Sequence, residues 1–124
     1  MTSTDTIPAS EVPVLDESRL LEAFGDDPEI LVELRDLYVQ HCPPLLEEIR
    51  VALKSCDGQA VASNAHSLKG ASATYGALRV FESCRVIEML AKAGNLAATG
   101  EHIERLATEL TEVIDHIGRL GGES

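Results

Sequence analysis

An all-α fold, an antiparallel up-and-down four-helix bundle with an additional short N-terminal helix, is what this sequence predicts, on three observations. All five prolines, Pro8, Pro13, Pro28, Pro43 and Pro44, fall within the first 44 of 124 positions, so the last 80 residues contain no breaker of that kind. Apolar residues recur at three- and four-residue spacing in segments parted by short turns that carry glycine or aspartate. They make up 44% of the chain, enough for the single core that a domain of this length builds.

Taken in order, residues 1–13 are polar, proline-containing and without period, and are expected to be a disordered lead-in to a bundle domain spanning 14–121. Asp16 then caps a short helix with Leu20, Leu21 and Phe24 on one side, ended by Gly25. Asp27 before Pro28 is a start signal, since the side chain caps free amides and proline costs nothing at the first helical position. Ile30, Leu34, Leu37 and His41 continue the period, and Leu45, Leu46, Ile49 and Leu53 resume it beyond Pro43 and Pro44. A kinked helix to about Ser55 is expected, with two helices and a tight break as the alternative.

Asp57 and Gly58 turn the chain into a third helix striped by Val61, Ala65, Leu68, Ser72 and Tyr75 and closed by Gly76. The fourth carries Val80, Cys84, Ile87 and Ala91 and ends at Gly94. Thr99 is expected to cap the fifth, whose stripe is Ile103, Leu106, Leu110, Val113, Ile117 and Leu120, with Gly121 and Gly122 as its stop. Short connections make these four long helices antiparallel neighbours, with the first laid across one end.

Charge and cysteine usage narrow the function. With 21 acidic and 10 basic side chains the formal charge is −11, which opposes sequence-independent binding to nucleic acid. No apolar stretch approaches the ~20 residues of a membrane helix, and Met1 to Glu11 lacks the basic and apolar regions of a secretory signal, so the expected location is the cytoplasm. Cys42, Cys56 and Cys84 form no C-x-x-C pair and read as small reduced apolar residues. A di-iron bundle would need a carboxylate three positions before each ligand histidine. Those positions, before His41, His66, His102 and His116, are Tyr38, Ser63, Thr99 and Val113, and no H-E-x-x-H pattern occurs, so no metal site is expected.

The third helix carries the chemistry. At ~100° per residue, Ala65 and Leu68 lie within about 40° of the core direction, Lys69 at about 80° and His66 at about 140°. His66 therefore faces outward, with Ala62, Lys69, Gly70 and Ala73 as its neighbours on that side, at offsets of −4, +3, +4 and +7. A glycine inside a helix costs ~1 kcal/mol against alanine. Bundle packing does not call for Gly70, whereas close approach of another macromolecule to the ring does. Gly58 to Phe81 contains no Asp or Glu over 24 residues, where the average acid content would place about four, and includes Lys69 and Arg79. A dianionic group is tolerated in such an island and poorly elsewhere on this chain. A solvent-facing imidazole titrates near neutrality and keeps a lone pair as nucleophile. Lys69 could offset phosphoryl charge, and an activated acyl phosphate needs no buried general base, so the want of an acid/base partner fits.

His66-Ser67-Leu68-Lys69-Gly70-Ala71-Ser72, followed by Gly76-Ala77, closely resembles the H-x-L-K-G-x-S-x-x-x-G-A signature of histidine-containing phosphotransfer (HPt) domains. Leu15-Asp16, Gly25-Asp26-Asp27-Pro28 and the proline-bearing helix extend the resemblance over roughly 15–120. It implies a phosphorelay intermediate that accepts a phosphoryl group on His66 from a receiver-domain aspartate and passes it to another, without kinase activity of its own. Lys69 then matches the lysine near the phosphoryl group, and Gly70 the clearance for the receiver. The implied partners are response-regulator receiver domains and a hybrid sensor kinase. The expected assembly is a monomer, with magnesium held by the receiver and no cofactor on this chain. In a hairpin turning near Gly76, Glu88 and Lys92 fall opposite His66. Relatives place a hydrogen-bonding side chain and a base there; Glu88 departs in charge, and its i,i+4 pairing with Lys92 is an equally good structural explanation. The competing function is a helical adaptor that docks on receivers without carrying phosphate.

Overall fold

A computed structural model describes residues 15–122, with side chains to Arg119, and the described residues form helices and turns without strands. The helices among the described residues are α1 (Glu17–Phe24), α2 (Pro28–Lys54), α3 (Gly58–Tyr75), α4 (Leu78–Lys92) and α5 (Thr99–Gly122), with a 3-10 turn, Leu96–Ala98, before α5. α3 packs on α2 and α4, α4 on α5, and α5 returns to α2, while α1 leans on α3 and α2. The expected four-helix bundle with a short extra helix is therefore present. The proposed lead-in over 1–13 and the Leu120 side chain lie outside the described residues.

The caps follow the sequence closely. The carboxylates of Asp16, Asp27 and Asp57 accept from the backbone N–H groups of Ser18, Glu29 and Ala60 at 3.1, 3.0 and 3.1 Å. The predicted stripes of α3 and α4 are buried to the last member, and so is that of α5 as far as Ile117. Between α3 and α4, Gly76 takes φ 91°, a left-handed conformation that glycine adopts at little cost. The chain entering α1 also crosses here: Asp16 N–H donates to the Gly76 carbonyl at 2.8 Å. A Cβ on Gly76 would lie 1.9 Å from the Asp16 carbonyl oxygen, so no other residue fits.

α2 runs as one helix through Pro43 and Pro44, as expected, and the two-helix alternative is not realised. Four other expectations need correction. The first half of the α2 stripe is out of phase with the one predicted: Ile30, Leu37 and His41 are exposed, whereas Tyr38 and Cys42 are buried and Leu31 packs against the core; Leu34, Leu45, Leu46, Ile49 and Leu53 face inward as predicted. Both faces of α2 carry apolar residues, and Tyr38 decides between them, stacking on Tyr75 with ring centroids 4.8 Å apart and pairing its hydroxyl with Ser72 Oγ at 2.7 Å. On α1 only Leu20 is buried; Leu21 and Phe24 remain exposed because eight residues offer a narrow contact. Thr99 is buried and donates to the Leu96 carbonyl at 2.7 Å, so it fastens the 3-10 turn rather than capping α5. Cys42 and Cys84 are core residues as predicted, but Cys56 is exposed in the α2–α3 turn.

Candidate functional site

His66 sits mid-way along α3 with 66% of its side chain exposed, pointing away from the core as its angular position requires. Gly70 is exposed one turn on, and a Cβ there would meet no atom within 4 Å, so nothing in this chain calls for a glycine. Ala73 is half-buried. Ala62 corrects the expectation of an outward neighbour: it is 7% exposed, packed under α4, and forms floor rather than rim.

The larger correction concerns the want of an acid/base partner. Glu88 on α4 reaches across the hairpin, and its Oε2 lies 2.9 Å from His66 Nδ1. The same carboxylate takes Lys69 Nζ at 2.7 Å on Oε1 and Lys92 Nζ at 2.9 Å on Oε2. Its side chain is only 7% exposed. Burial opposes ionisation of Glu88, but hydrogen bonds from Lys69, Lys92 and His66 outweigh it and hold the carboxyl down to about 2. An ionised carboxylate can only accept, so the nitrogen facing it carries the hydrogen: Nδ1–H donates to Glu88, and the lone pair of the neutral ring is on Nε2. That atom lies on the far side of the ring from Glu88, on a side chain that is 66% exposed.

Charge around the ring is thus organised differently from the sequence expectation. The acid-free window holds, yet α4 brings one carboxylate into it, and two ammonium groups share that single anion. Arg79, the other cation of the window, pairs with Glu112 on α5 at 3.7 Å and is turned from His66. Ser72 of the motif serves the core through Tyr38. Both explanations of Glu88 hold together, because the i,i+4 pair with Lys92 and the bond to the imidazole use the same oxygen.

An open cleft of about 620 Å³ adjoins the ring, lined from α3 by Gly58, Gln59, Ala62, Ser63, His66 and Ser67 and from α4 by Glu88, Ala91 and Lys92. Gln59, Ser63 and Ser67 were not singled out in the sequence. Offsets of −7 and −3 from His66 place the first two on its face of the helix, which was signal enough.

A family model described as "Hpt domain" matches residues 33–116. Among solved structures, the chain is similar to histidine-containing phosphotransfer protein B from Pseudomonas aeruginosa, at 28% identity over 90% of this chain and 97% of that one, with a TM-score of 0.79. It shares its fold with the HPT domain of a sensor hybrid histidine kinase from Shewanella, at 23% identity over 90% and 96%, with a TM-score of 0.77. No curated protein matches it in sequence.

Proposed function

The chain belongs to the Hpt domain family and is a histidine-phosphotransfer intermediate of two-component phosphorelays, and from that premise we propose that Nε2 of His66 is the atom that carries the phosphoryl group. The observation that carries this reading is the 2.9 Å bond from Nδ1 to an ionised Glu88, which fixes the tautomer and leaves the other nitrogen nucleophilic. Nε2 attacks the phosphorus of a receiver's aspartyl phosphate; the N–P bond forms as the acyl P–O bond breaks, and the aspartate leaves as carboxylate. Passing the group to a second receiver reverses these steps. The proton on Nδ1 stays on the ring throughout, facing Glu88, which offsets the positive charge that the ring acquires on phosphorylation.

Lys69 and Lys92 together carry one positive charge more than Glu88 neutralises, so the resting site favours an incoming dianion. The cleft's one carboxylate is committed to two ammonium groups and offers nothing to a divalent cation, so Mg2+ belongs to the receiver's side of the encounter. The chain carries phosphate without making it, acts as a monomer, and works in the cytoplasm, where receivers and the kinase domains that charge them reside. Among the described residues no helix is long and apolar enough to cross a membrane. An adaptor without phosphate would have no use for a carboxylate that fixes the ring.

The test is transfer from an aspartyl-phosphorylated receiver domain. Label is expected on this chain at one acid-labile, base-stable site, and His66→Gln is expected to abolish it with the helical content unchanged. Label that persists in the variant overturns the assignment.

A further inference from the structure

Two bonds end on one oxygen: Glu88 Oε2 lies 2.9 Å from His66 Nδ1 and 2.9 Å from Lys92 Nζ. The other oxygen, Oε1, takes Lys69 Nζ at 2.7 Å. Among the described residues the cleft beside the ring is lined from α3 and α4 alone, so α1 and α2, which also pack on α3, contribute no charged group to it. The charged groups facing the imidazole are thus Lys69 on its own helix and Glu88 and Lys92 on α4. Cys84, one turn before Glu88, is kept a neutral thiol by burial and adds no charge. Glu88, with its carboxyl held down to about 2, is an anion at every pH near and above neutrality.

In onward transfer the P–N bond breaks with its electron pair left on Nε2, and the phosphoryl group passes to an aspartate oxygen of the receiver. With a hydrogen on Nδ1 the ring departs as neutral imidazole; without it the ring would depart as an imidazolate anion, a far poorer leaving group. A phosphorylated ring in water loses that hydrogen near neutrality, as an ordinary imidazolium does. Here an anion sits 2.9 Å from the nitrogen that holds it, and such a neighbour favours the charged ring. We propose that Glu88 sets the pH range over which His66 gives up its phosphoryl group, keeping Nδ1 protonated in the phosphorylated ring well into the alkaline range. This inference rests on His66 being the phosphoryl carrier. Glu88 is then a positioning residue, acting through the ring and staying off the phosphorus. Lys92 works against it, because its ammonium competes for Oε2 with the ring N–H. A neutral amide in place of the carboxylate would accept the same hydrogen bond but leave both lysines unopposed, so the charge and not the contact carries the effect.

The test phosphorylates His66 with phosphoramidate in isotope-labelled protein and follows the ring nitrogens by NMR between about pH 6 and 10, while onward transfer to an unphosphorylated receiver domain is timed over the same range. Loss of the Nδ1 hydrogen and the alkaline fall in transfer rate are expected to share one midpoint. Glu88→Gln is expected to lower that midpoint by at least about one pH unit, which at alkaline pH is about a tenfold slower transfer, with acid-side rates within about twofold. Lys92→Ala, at a side chain 67% exposed, is expected to raise it. Opposite shifts from two substitutions on one helix are not what a loss of packing gives. An equal or higher midpoint in Glu88→Gln overturns the inference; should that variant not fold, an unmoved or lowered midpoint in Lys92→Ala does so. Phosphoramidate that labels another residue and leaves His66 bare would sink the phosphorelay reading itself, whereas normal labelling and transfer with unshifted midpoints would sink only this role of Glu88.

Discussion

The α3–α4 hairpin and the α1–α2 pair obey the same sequence rules, yet they differ in how cleanly they separate inside from outside. Every residue predicted to be buried on α3 and α4 is buried, and the outward face of α3 carries His66, Ser67 and Gly70. On α1 and α2, Leu21, Phe24, Ile30, Val32 and Leu37 stay exposed, while Tyr38 takes an inward position that the pattern did not give it. In the hairpin one phase buries all the predicted apolar residues, with Met89 left exposed, and the polar groups it takes inside, Ser72, Ser83 and Glu88, each have a partner. α2 offers two phases of comparable hydrophobicity, and tertiary contacts choose.

The comparison breaks if the hairpin is no more sensitive to substitution than α1–α2. The largest effect is expected at its turn. Gly76→Val forces a side chain into the Asp16 carbonyl and a β-branched residue into a left-handed conformation, and should cost more than about 3 kcal/mol, read as a loss of cooperative urea unfolding. Ile87→Ala, at a fully buried α4 position, should cost about 2–5 kcal/mol in the same titration. Leu37→Ala, at a position 44% exposed, should fall within about 0.5 kcal/mol of wild type.

Acid sharpens the contrast at the site itself. The folded-state pKa of Glu88 is depressed, so its stabilising contribution is complete above the ordinary glutamate value of ~4.3 and is lost as pH falls from there toward about 2. The stability gap between wild type and Glu88→Gln should therefore be wide at neutral pH and close at acid pH, measured by urea unfolding across that range. A gap independent of pH would deny Glu88 its ionised role. Gly70→Ala carries the smallest effect on folding, a gain of up to about 1 kcal/mol, since the added methyl meets nothing. Gly70→Gln should keep that stability and slow transfer strongly.

How much could be read from residues alone follows the same division. The helix starts at Asp16, Asp27 and Asp57, the stripes of α3 to α5, and the outward His66 with Gly70 one turn on were legible because each depends on local spacing. Glu88 was placed opposite the histidine by counting from the turn, but its dominance was not visible. Three partners on one nearly buried carboxylate is a property of two helices packed at a particular distance. The phase of α2 was lost for a related reason, because the Tyr38 hydroxyl is tolerable inside only where Ser72 on another helix accepts or donates to it.

The crossing of the entering chain over Gly76 also fixes how the protein can be handled. Leu15 and the end of α5 both lie at the Tyr75 end of the bundle, since α5 runs parallel to α3, whereas the cleft beside His66 extends toward the Gly58 end. A fluorophore or surface tether attached at Leu15 or at Arg119 would stand at the opposite pole from that end of the cleft, leaving an immobilised molecule free to greet its visitors.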